Sequence, residues 1–131
     1  MKFKVLVVLA LLFLFVGSTK AQTFDVTGNW SFVRDYTSTG ESLGLSASSA
    51  SSFTGQFFVR TNGILTVWCK VMDGIVRSDN SITFTVVCEG GGIDNPGSTM
   101  LVAGRPVSDD DVRGTWRHSN GASGKFEMKR Q

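Results

Sequence analysis

The side chains that could carry chemistry are few and scattered. The one histidine, His118, stands beside Ser119–Gly124, a stretch rich in Gly, Ser and Asn. A general base or a metal ligand needs partners, and the chain offers no second histidine and no two-Cys, two-His spacing. His118 is therefore expected at the surface or rim. Asp109-Asp110-Asp111 presents carboxylates, yet three consecutive acids lack the alternating oxygen donors of a calcium loop, so a solvated acidic turn is expected. Gly90-Gly91-Gly92 is followed by no Lys-Ser/Thr pair, which argues against a phosphate cradle. A Gly-x-Ser-x-Gly nucleophile elbow is also missing. The expectation is a non-enzymatic protein with no catalytic residue, no metal and no cofactor.

The chain starts with the grammar of export. Lys2 and Lys4 precede an unbroken apolar run, Val5–Val16, and Thr19 and Ala21 are small residues at the −3 and −1 positions of a cleavage site before Gln22. Twelve apolar residues fall short of the roughly 20 that a membrane span needs. We read 1–21 as a signal peptide and 22–131 as a single domain, with no membrane span. The expected location is extracellular or, in a bacterial host, periplasmic. Loss of Lys2, Lys4 and Lys20 turns the formal charge of +2 into about −1. The remaining Arg and Lys stand singly rather than in a stripe, so no nucleic-acid partner is expected. Cys69 and Cys88 belong to an exported chain, where disulfides persist. One bridge is the leading reading, and two separate buried thiols are the alternative.

Period-two alternation supplies the elements that must position these residues. Strands are expected over Val26–Arg34, Ser42–Ala50, Phe53–Arg60, Ile64–Met72 continuing after a break at Asp73-Gly74 through Ile75–Arg77, Ile82–Cys88, Ser98–Arg105, Val112–His118 and Lys125–Arg130. Asn62-Gly63, between two apolar runs, is a strong hairpin signal. Pro106–Asp111 reads as an acidic turn, and Gly90–Gly97 as the longest loop. No window has a helical period. Eight short strands joined by short connections favour an all-β fold, an eight-stranded antiparallel up-and-down β-barrel that leaves no free edge. Cys69 and Cys88 come directly opposite if the intervening turn centres on Ser78–Asp79, whereas a bulge at Asp73-Gly74 shifts that register by one.

Thr27-Gly28-Asn29-Trp30 resembles the Gly-x-Trp opening of lipocalins and, more weakly, of avidin-type barrels. Val112–Trp116 and Gly124–Arg130 are similar to the last two strands of small secreted lipocalin-like (calycin) barrels. Alternation puts Trp30 on the inward face of the first strand and Arg130 on the same face of the last as Phe126 and Met128. Closure would then let Arg130 stack on Trp30, an attraction of roughly 0.5–2 kcal/mol. The resemblance implies the same pair, as a plug of the closed end.

A barrel of eight strands holds either side chains alone or one small ligand. The expected inward set combines large residues (Trp30, Phe53, Phe126 and Met128 among them) with Gly28, Gly55, Gly104 and Gly114. Small residues on one wall suggest room near the open end, with Phe32, Phe57, Phe84, Met100 and Trp116 as ligand-binding residues. The leading expectation is a secreted protein holding a small hydrophobic molecule. Two alternatives stay open. One is a packed barrel whose loops bind a macromolecular partner, as an inhibitor or surface interaction module. The other is an avidin-like cofactor binder walled by Trp68 and Trp116, although Ser31-Phe32-Val33-Arg34-Asp35 departs from the polar loop of that family.

Overall fold

Asn62 and Gly63 both take positive φ, 52° and 77°, the conformation a two-residue type I′ hairpin requires. Their hairpin is one of seven joining neighbouring antiparallel strands in this computed structural model, which describes residues 24–35, 40–89 and 98–131. The strands are β1 (Gly28–Arg34), β2 (Gly40–Ala47), β3 (Ser52–Thr61), β4 (Ile64–Val76), β5 (Ile82–Cys88), β6 (Ser98–Ser108), β7 (Asp111–His118) and β8 (Ser123–Arg130). They pair in chain order, and β8 returns antiparallel to β1 to close the sheet as a barrel. The all-β, eight-stranded antiparallel barrel is the expected fold. The expected signal peptide, 1–21, and the expected long loop, 90–97, lie outside the described residues.

Alternation does what it should on the core side. Trp30, Phe32, Phe53, Phe57, Phe84, Met100, Trp116, Phe126 and Met128 are all buried inside the barrel. Phe32 stacks on Phe126 at 4.9 Å between ring centroids and meets Phe57 edge-on at 5.6 Å. Phe53 and Phe84 meet edge-on at 5.8 Å. Closely packed rings of this kind fill the middle of the barrel.

The small residues do not leave the expected room. A Cβ on Gly114 would fall 2.0 Å from the Ala103 carbonyl oxygen, and one on Gly104 would fall 2.8 Å from Phe126 Cζ. Neighbouring strand and ring have moved into the space that glycine gives up. The expected turn Pro106–Asp111 is also narrower than its sequence suggests. β6 runs past Pro106, which pairs with Val112, and after a register shift at Pro106/Ser108 the ladder ends with Ser108 opposite Asp111. A proline is tolerated at such an irregular place because the ladder needs no N–H from it.

Cys69 and Cys88 form a disulfide. Two offsets make this pairing work. Val76 opposite Ile82 centres the β4–β5 turn on Asp79, half a residue beyond the expected centre. A bulge between Met72 and Ile75 then shifts the register, giving Val71 opposite Val86 and Lys70 opposite Val87. The bulge that should have separated the cysteines is what aligns them.

Candidate functional site

The two ends of the barrel differ in how they treat charge. At one end Trp30, fully buried, donates its Nε1–H to the Val26 carbonyl at 2.9 Å. Arg130, opposite it across the closing seam, lies 4.2 Å from the ring centroid. The Arg130 guanidinium also donates to the carbonyls of Thr27, Asp25 and Asp109 and to Asp110 Oδ1. The expected Trp–Arg plug is present. Asp25 shapes the strap beneath it: the Thr27 N–H and hydroxyl hold its carboxyl below the usual carboxylate range, with a smaller contribution from Arg130.

At the opposite end polar side chains are gathered inside. Arg34 continues the inward phase of Trp30 and Phe32, and Glu41 that of Leu43 and Leu45. Arg34 Nε and Nη2 donate to the two Glu41 carboxylate oxygens at 2.7 and 2.8 Å, and the side chains are 3% and 0% exposed. The same guanidinium lies 4.7 Å from the Trp116 ring centroid and 3.4 Å from Met100 Sδ. Trp116 is fixed in turn by its Nε1–H, donated to the Lys125 carbonyl at 3.2 Å. His118, expected at the surface or rim, is instead buried to 3% exposure, and its Nδ1 accepts the Asn120 N–H at 3.1 Å. Ser98, buried at the start of β6 and paired with Cys88, carries a hydroxyl with no hydrogen-bond partner among the described residues.

The five residues expected to bind a ligand therefore separate. Phe32, Phe57 and Phe84 belong to the filled middle. Met100 and Trp116 border the buried ion pair. Trp68 points away from the interior and is more than half exposed, so it walls no internal site with Trp116. Sequence reasoning missed Arg34, Glu41 and Ser98. Two in-phase opposite charges flanking one short connection were the available signal, obscured by the rule that charged residues face water.

Little reactive chemistry is gathered here among the described residues. Arg34 and Glu41 neutralise one another beside the aromatic and thioether surface of Trp116 and Met100, with the Ser98 hydroxyl and the His118 imidazole as further buried polar groups. Among the described residues no cluster of three or more His, Cys, Asp or Glu could hold a metal ion. Outside the barrel, a separate groove of about 820 Å³ crosses the wall from β4 to β8.

The class that this geometry defines is the closed eight-stranded antiparallel barrel with an apolar interior. No protein-family model and no curated protein matches the chain. Among solved structures it is similar to a de novo designed fluorescence-activating β-barrel, with a TM-score of 0.62 at 19% identity. That likeness covers 86% of this chain and 99% of the designed one, and it bears on the fold alone.

Proposed function

We propose that this is a secreted, lipocalin-like binding protein that takes one small, mainly apolar, uncharged molecule at the Arg34 end of its barrel, without turnover. The observation that carries the reading is the Ser98 hydroxyl, without a hydrogen-bond partner among the described residues and buried at the end where Arg34, Glu41, Met100 and Trp116 also lie. Buried polar groups are nearly always satisfied, and an orphan at the end of an apolar barrel is the sort of polar point by which a pocket orients a ligand. The ion pair supports the same view. A buried salt bridge is costly to assemble and is often no more stabilising than apolar residues of the same volume, which favours a role beyond stability. A designed barrel of similar fold being fluorescence-activating lends further support. The disulfide is compatible with an extracellular location.

Native mass spectrometry of the protein purified from its secreting host tests the reading. A co-purifying mass of small-molecule size, lost in Trp116→Ala and weakened in Ser98→Ala, is expected. A clean apo mass, with no apolar fluorophore quenching Trp116, would overturn it. The filled middle favours one second reading, a packed barrel that works through its outer surface. Ligand-free protein that still captures a macromolecule would establish that alternative.

A further inference from the structure

The outer wall across β4 to β6 breaks the rule that an antiparallel sheet turns polar residues to water. Trp68, Met72, Ile75 and Leu101 point outward, with 57%, 45%, 43% and 56% of their surface exposed. The bulge in β4 sharpens this. It interrupts alternation so that Met72 and Asp73 are both exposed, and with Ile75 they form a ridge that is apolar except for one acid. The 820 Å³ groove begins at Asp73 and Ile75 and is floored mainly by the small side chains Thr83, Thr85, Ala103 and Thr115, with Leu101 standing between Thr85 and Arg117. Its far side carries two bases, Arg117 and Lys125. Among the described residues none of Asp73, Arg117 and Lys125 belongs to an ion pair.

We infer that this wall is a two-fold interface with a second copy of the chain. An isologous contact needs one patch that holds both the projecting and the receiving shape, because each copy uses the same surface. This wall has both. A copy rotated about an axis between ridge and groove lays Met72 and Ile75 over the small-residue floor. The same rotation brings Asp73 against Arg117 and Lys125, and symmetry repeats the contact. A different partner would have to supply an acid on an apolar ridge, which a second copy already does. Contiguous exposed apolar surface of this kind marks association sites. The inference is independent of any ligand inside the barrel.

Sedimentation velocity over a concentration series tests it. The wild-type protein is expected to dimerise, and Asp73→Asn, which suits the positive φ of 54° at this position, to weaken the dimer about tenfold, or about 1.4 kcal/mol. Asp73→Lys alone and Arg117→Asp/Lys125→Asp alone should each be monomeric. An equimolar mixture of the two should form heterodimers, since both contacts then pair opposite charges. Only folded chains can give that rescue. A wild-type monomer at the highest soluble concentration would overturn the inference, as would a dimer indifferent to these substitutions. A monomer whose groove is filled by a co-purifying lipid would also overturn it.

Discussion

Both ends of the barrel stack an arginine on a tryptophan, and they complete the arginine differently. Arg130 over Trp30 satisfies its guanidinium mainly with backbone carbonyls and the exposed Asp110. Arg34 over Trp116 is buried and is paired with the equally buried Glu41 carboxylate through two hydrogen bonds. Water can replace part of what Arg130 would lose. Deep in the other end, solvent offers no comparable substitute. The same ring–cation contact thus forms a tolerant plug at one end and a demanding pair at the other.

Four experiments test that contrast. The largest effect is expected from Glu41→Leu, which leaves Arg34 buried opposite an apolar side chain and should cost about 3–5 kcal/mol in urea unfolding. Arg34→Met/Glu41→Leu should recover most of that loss. A double variant as unstable as the single one would place the cost in packing rather than in charge. Next comes the covalent tie in β4 and β5. Reduction of Cys69–Cys88 should lower stability by about 3 kcal/mol, and an unchanged melt under reductant would mean that the bridge adds nothing.

At the Trp30 end, Arg130→Ala should cost about 1–2 kcal/mol, well below the Glu41 loss, because solvent reaches the orphaned carbonyls. An equal loss at the two ends would remove the distinction between them. The smallest effect concerns acid. Asp25 has its folded pKa lowered by Thr27, so its contribution is present above the ordinary carboxylate value near about 3.9 and fades as pH falls through the folded value. The stability difference between wild type and Asp25→Asn should hold from neutrality to mildly acid pH and then vanish. A difference that instead grew on acidification would contradict that sign.

The fold was legible because period two is written twice over in these strands. Trp30, Phe32, Phe84 and Val86 alternate with Asn29, Ser31, Thr83 and Thr85, and Asn62-Gly63 leaves only one tight hairpin geometry. What escaped was what depends on two strands at once. Gly104 and Gly114 look like empty volume along one strand, yet Phe126 and the Ala103 carbonyl fill it from the next. Arg34 and Glu41 lie in the inward phase, but opposite charges become a buried pair only once β1 and β2 are seen side by side. Trp68 was misplaced for a simpler reason: it adjoins the inward Cys69, so alternation alone sends it out.

The bulge in β4 also sets a rule of inheritance. Asp73 and Gly74 together face one residue of β5, so losing one of them would leave a regular ladder with Met72 still opposite Thr85 and Val71 still opposite Val86. A deletion between the bulge and either cysteine is different, because a one-residue slip sends a side chain to the opposite face. Among descendants of this chain, loss of a residue at the bulge should leave both cysteines in place, whereas a deletion in 70–72 or 85–87 should travel with a vanished or relocated cysteine, a contrast that an alignment of relatives would show at a glance.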